Sequence, residues 1–221
     1  MNRQAIRVVA IATPILLLAS TSTIFVKASQ RQGNEIGYLT GFSFYWLFWC
    51  LLVPWLMIRK QGFASLLIDR RPLFSRENWL AALLWGIVTI VALVMYGKDF
   101  VAAPPDLILL ALPLAIINGV CEELLWRGLY VRVFPINPWL GIIYPAVGFA
   151  VWHFVPQIVY PAEDVSGFVL STLFLGLAYG FIAYRTGSAK WTAISHSING
   201  AIALAAPLAQ IIISVGKSLM I

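Results

Sequence analysis

Long, uninterrupted apolar runs separated by short polar connections fill most of the 221-residue chain. A membrane-spanning helix needs about 20 mostly apolar residues. Seven stretches reach that length: 8–26, 38–58, 79–96, 107–134, 142–160, 167–185 and 191–213. The fourth is over-long and is expected to tilt or to emerge from the bilayer, and the tail beyond Pro207 would make a short eighth segment. The runs are continuous rather than alternating, which argues against a transmembrane barrel. The pattern predicts an all-α, polytopic transmembrane bundle of seven, or with the tail eight, spanning helices.

The connections carry turn chemistry. Paired prolines in GKDFVAAPPD, 97–106, end the third helix, and Asp106 is placed to cap the fourth. PINPWLG joins the fourth and fifth, and TGSAK, 186–190, is a tight polar turn. Gly176 and Gly180 form a GxxxG pair on the sixth segment, a device for close helix packing. Neither an internal repeat nor an inter-domain linker is visible.

Composition strengthens the membrane assignment. Only 11% of residues are charged, against about 25% in soluble domains. The net charge of +6 follows topology better than it suggests nucleic-acid binding, because Lys and Arg concentrate in cytoplasmic loops. Arg3, Arg7, Arg59, Lys60, Arg70, Arg71, Arg76, Arg127, Arg132, Arg185 and Lys190 fall on one side of a seven-span chain. Lys27, Arg31, Lys98 and Lys217 fall on the other. This asymmetry predicts a multi-pass protein of the cell membrane with a cytoplasmic N-terminus. The basic 59–78 loop reads as an ordinary positive-inside loop, with contact to anionic headgroups as the alternative. The first segment has the flanks of a signal peptide, but its apolar run exceeds a typical signal core, so an uncleaved helix is expected. Cys50 and Cys121 lie in apolar runs and suggest no disulfide framework.

The ionisable residues divide the chain. Residues 1–106 carry charges in loops and read as scaffold helices; residues 107–221 hold every ionisable group deep in a span and read as the working half of one integrated membrane domain. Such groups cost several kcal/mol at bilayer depth unless paired or facing a wet cavity, and so mark function by default. In CEELLWRG, 121–128, Glu123 and Arg127 are four apart and share a helical face, while Glu122 points about 100° away. Glu123 is therefore expected to pair with Arg127 and Glu122 to face inward as a general base. A charge cluster at the cytoplasmic edge is the competing reading. The chain's two histidines, His153 and His196, sit in the fifth and seventh segments. Asn199, three residues after His196, is a candidate oxyanion donor, with an interhelical hydrogen bond as the alternative. Counted along their helices, Glu122, His153 and His196 are expected to line one cavity opening to the cytoplasm. One glutamate and two histidines also make a ligand set for Zn2+. A bare water activated by Glu122 would do the same chemistry, and the HExxH zinc signature is absent.

With these residues in place, the chain resembles the CAAX prenyl endopeptidase and bacteriocin-processing (CPBP, or Abi) family of intramembrane proteases. Glu122, Glu123 and Arg127 match its EExxxR motif, Phe149 and His153 its FxxxH motif, and His196 the histidine of its last motif. That motif places Asn or Asp four residues after the histidine. Here position 200 is Gly and the asparagine stands one earlier, at Asn199. The resemblance covers residues 107–206. It implies hydrolysis of a peptide bond in a membrane-associated protein or peptide, lipidated or not. It implies Glu122 as base, His153 as its partner on the water, and His196 with Asn199 at the oxyanion. The family's glutamate-based picture needs no cofactor, Zn2+ being the older alternative. Two other classes stay open: an inactive membrane scaffold or bacteriocin-immunity protein binding a partner, and a proton-coupled transporter. The unlike halves argue against the transporter.

Overall fold

The computed structural model describes residues 2–59 and 62–203. Among them the fold is all-helical, without strands, and six helices are long and apolar enough to cross a membrane. They are α1 (Arg3–Gln32), α2 (Asn34–Ile58), α3 (Arg76–Ala102), α4 (Pro105–Val133), α5 (Trp139–Gln157) and α6 (Val165–Thr186). A seventh helix, α7 (Lys190–Ala203), follows. The remainder of the seventh expected span, the short eighth segment, Lys60 and Lys217 lie outside the described residues.

Local chemistry sets the helix ends. The Asn2 side chain accepts from the Ala5 amide and caps α1. Gly33, with φ 89°, reverses the chain directly into α2. Asp164 caps α6 by accepting from the Gly167 amide, and Gly187, with φ 75°, closes it. At α4 the expected cap shifts. Pro104 occupies the cap position and Pro105 the first turn, where a missing N–H costs nothing, so Asp106 falls inside the helix. Its carboxylate complements the positive end of the helix dipole instead.

Three of the spanning helices contain wider, π-helical stretches: Tyr45–Leu52 in α2, Leu124–Leu129 in α4 and Trp139–Ile143 in α5. The helix α5 also breaks at His153, whose amide bonds the Ala150 carbonyl in a tightened turn. Pro156 supplies the cause, since it has no N–H for the Trp152 carbonyl and its ring crowds that carbonyl.

The helices pack around an aromatic core drawn from both halves of the chain: Phe25 of α1, Tyr45 of α2, Trp126 and Tyr130 of α4, and Phe149 and Trp152 of α5 are all buried. In contrast, only 6% of the apolar window of α3 is buried, so this helix presents most of its surface outward. At one end of the bundle, the connection after α2 packs on the α6–α7 turn. The Arg70 and Arg71 amides donate to the Thr186 carbonyl, and Lys190 pairs with Asp69 at 2.9 Å. The Tyr130 hydroxyl donates to the Ala10 carbonyl, which brings the α1 end bearing Arg3 and Arg7 toward Arg132. Exposed Trp55, Phe74, Trp79 and Trp139 ring this end, as aromatic side chains do at a membrane–water interface.

Small residues set the approach of the helices that matter below. A Cβ at Gly119 would lie 2.7 Å from the Ser197 amide, so α4 and α7 meet backbone to backbone. Gly180, and to a lesser degree Gly176, do the same for α6 against Ile142 and Ala146 of α5. Replacing Gly119 by Ala is expected to destabilise the protein by about 1–3 kcal/mol, as overpacking does. The measurement is thermal unfolding in detergent. Gly86→Ala, where a Cβ meets open space, serves as the control and should leave the midpoint unchanged or slightly raised.

Candidate active site

A buried cluster of charge sits where α4, α5 and α7 converge. Glu122, Glu123 and Arg127 are each 1% exposed or less. Gly128 and Ala189 touch near the basic end. From that level Glu122 lies six residues down α4 and His196 seven down α7, about 9 and 10 Å by the helical rise. The close approach at Gly119 then lets the His196 ring enter between the two carboxylates.

Its geometry answers how two adjacent glutamates, pointing different ways, meet one partner. His196 Nδ1 is 2.9 Å from Glu123 Oε1, and Nε2 is 3.3 Å from Glu122 Oε2. The two ring nitrogens face opposite sides, so one imidazole spans both carboxylates. Arg127 Nη1 donates to the same Glu123 Oε1 at 2.9 Å, and its guanidinium lies 4.2 Å over the Phe149 ring. Carboxylates only accept when ionised. The Nδ1–Glu123 contact is a hydrogen bond, and Nε2 faces Glu122 at ion-pair distance. Arg127 and Glu123 offset one another's charge, as burial in an apolar bundle requires.

Glu122 has three polar neighbours. Oε1 accepts from Trp152 Nε1 at 3.3 Å, and Oε2 accepts from Asn118 Nδ2 at 3.2 Å besides facing His196. Tyr45, whose hydroxyl accepts from Trp126 Nε1, stacks on Trp152 with ring centroids 3.9 Å apart. His153 lies beside this group at the break in α5, half-buried, with its ring against Phe149 and Phe168. His153 Nδ1 is 2.8 Å from the Phe149 carbonyl, which can only accept. Nδ1 therefore carries the proton and Nε2 is left as an acceptor. Both histidines contact the one Phe149 ring.

Asn199 is engaged elsewhere. Its amide donates to the Tyr179 hydroxyl at 2.8 Å and to the Val88 carbonyl at 3.3 Å. Tyr179 passes its own proton to Ser195 at 3.1 Å, and Ser195 meets Thr89 at 2.6 Å. Asn199 thus ties α7 to α3 and α6, and its remaining polar atom, the buried Oδ1, has no partner among the described residues. Both of its N–H donors are taken by protein groups.

Asn118, Trp152 and Tyr179 are contacts of the cluster that sequence reasoning passed over. Asn118 had a usable signal, being the polar residue one turn before Glu122 in an apolar run; two aromatic residues among many carried none. A cleft of about 250 Å3 lies between the end of α1 and α2, lined by Thr23, Lys27, Arg31 and Thr40. Among the described residues, no three His, Cys, Asp or Glu side chains are grouped so as to hold a metal ion.

Residues 104–202 match the family model described as type II CAAX prenyl endopeptidase Rce1-like. The match is to a CAAX protease domain and covers a little under half of the chain, including every charged and polar side chain of the cluster. No curated protein and no solved structure matches the chain.

Removing one member of the buried pair tests the cluster's electrostatics. Arg127→Leu strands Glu123 against His196 alone and is expected to cost about 3–5 kcal/mol of stability. A thermal or denaturant unfolding series in detergent reads this directly.

Proposed function

We propose that the chain is an intramembrane endopeptidase that hydrolyses a peptide bond of a membrane-associated protein or peptide, with Glu122 activating the water. The observation that carries this reading is the convergence of Glu122, Glu123, Arg127 and His196 into one buried, hydrogen-bonded cluster within the segment matching the CAAX protease family.

The chemistry follows from the donors and acceptors. Glu122 Oε1 uses one lone pair on Trp152 and has another to offer. In the tautomer that the Phe149 carbonyl imposes, His153 Nε2 would offer the water a second acceptor. Two acceptors on one water direct its lone pair at a substrate carbonyl. As the water oxygen bonds to the carbonyl carbon, Glu122 takes the water proton and delivers it to the amine nitrogen as the C–N bond breaks. Glu123, paired with Arg127, holds His196 in place through Nδ1. For His196 and Asn199 to bind the oxyanion, each would have to exchange a present partner for substrate. Substrate would reach Glu122 from its half-buried side, at Trp46, Asn118 and His153.

The clustering of basic connections at the α6–α7 end fits a cytoplasmic face there, with the N-terminus on the same side. A membrane scaffold or immunity protein that binds a partner is the second reading, favoured by the commitment of both Asn199 donors to protein groups.

Glu122→Gln keeps the size and removes the base; its amide nitrogen cannot accept, so one of the bonds from Trp152 and Asn118 is lost with it. Cleavage should fall by at least 100-fold, in line with the loss of a general base, while the chain still folds. Proteomics of membrane fractions should show one uncut precursor accumulating with this variant. Equal precursor levels in parent and variant cells, or an unchanged phenotype in a Glu122/His153 double variant, would favour the scaffold. Activity of the purified protein is expected to persist after chelation, and a loss restored by Zn2+ would assign the water to a metal instead.

A further inference from the structure

The first half of the chain reaches the candidate base through a single hydrogen-bond chain. Trp46 of α2 lies in the π-helical stretch and is half-buried. Its indole Nε1 donates to Asn118 Oδ1 at 2.9 Å, across 72 residues of sequence. Asn118 Nδ2 in turn donates to Glu122 Oε2 at 3.2 Å. We propose that Trp46, acting through Asn118, is a positioning residue for Glu122. This rests on the reading of Glu122 as the base.

The direction of the chain comes from donor and acceptor chemistry. An indole nitrogen can only donate, so the Asn118 atom facing Trp46 must be the carbonyl oxygen. That choice leaves the amide nitrogen facing Glu122. Without the indole proton, the side-chain amide loses the bond that selects this orientation. Turned over, it would set a carbonyl oxygen against a carboxylate oxygen. Trp46 therefore decides which end of Asn118 meets Glu122, although it touches neither water nor substrate in the proposed reaction. Its neighbour Tyr45 braces the other side, since its ring stacks on the Trp152 indole that donates to Glu122 Oε1. Two consecutive residues of α2 thus back the two tethers of one carboxylate. Consecutive helical residues point in different directions, which is what lets the Tyr45 ring stack on Trp152 of α5 while Trp46 meets Asn118 of α4.

The test reads the hydrogen bonding of the carboxylate itself and needs no substrate. Infrared spectra of the full chain in detergent, compared with Glu122→Gln, isolate the carboxylate stretch belonging to Glu122. Trp46→Phe removes the indole N–H and keeps an aromatic ring; Asn118→Leu removes the amide. Both are expected to shift that band in the same direction. The double variant should match Asn118→Leu alone, because two groups acting through one chain are not additive. A packing role for Trp46 would change the unfolding temperature without moving the band. A band unmoved by Trp46→Phe but moved by Asn118→Leu overturns the proposal, as does a double variant whose shift is the sum of the two. Failure of the protease reading is a separate result: a Glu122→Gln chain that cleaves as fast as the parent ends the base assignment whether or not the band moves.

Discussion

One imidazole wedged between two carboxylates, with a guanidinium beside them, sets the terms for the rest of this bundle. His196 bonds Glu123 through one nitrogen and faces Glu122 through the other, while Arg127 neutralises Glu123. Isolated, any of these charges would be costly in an apolar interior; Arg127 and Glu123 offset each other as a pair. That requirement explains why the helices bearing them come so close. Gly119 removes the side chain that would hold α7 away from α4, and the π-helical stretch beginning at Leu124 follows directly after the two glutamates. Widened turns of this kind occur often at functional sites.

Around the charged unit the protein builds an aromatic enclosure. Trp126, Trp152, Tyr45 and Phe149 are almost completely buried. They exclude water from the ion pair and supply the indole donor to Glu122. The same rings belong to a core that includes α1 and α2, so the division into scaffold and working halves describes the location of charge, not of structural support. The polar chain from Asn199 through Tyr179 and Ser195 to Thr89 plays a parallel part on the other flank, tying α7 to α6 and α3. The chemistry proposed for Glu122 and His153 thus depends on packing contributed by helices that carry no charge at bilayer depth.

Much of this was legible in the linear chain. The long apolar runs announce spanning helices because a bilayer of fixed thickness imposes a length, and backbone groups in lipid must be satisfied within the helix. The spacing of Glu123 and Arg127 announces their pairing, because residues four apart share a helical face. Glu122, Glu123, Arg127, Phe149, His153 and His196 carry the resemblance to the protease family, and the domain match over 104–202 includes all of them. Helix ends were less legible. Asp106 has the chemistry of a cap, yet the preceding prolines take that place.

Other features arise only when helices distant in sequence are brought side by side. The sequence shows that Glu122 and Glu123 diverge, but not that one histidine can serve both, since that depends on the α4–α7 distance. It shows Asn199 on the same face as His196, but not that Tyr179 and the Val88 carbonyl take both of its protons. It marks Asn118 as polar and Trp46 as aromatic without joining them. Covalent geometry and bilayer thickness act locally and can be read residue by residue. The partner of each buried donor is decided by which helices touch, and only the folded bundle settles that.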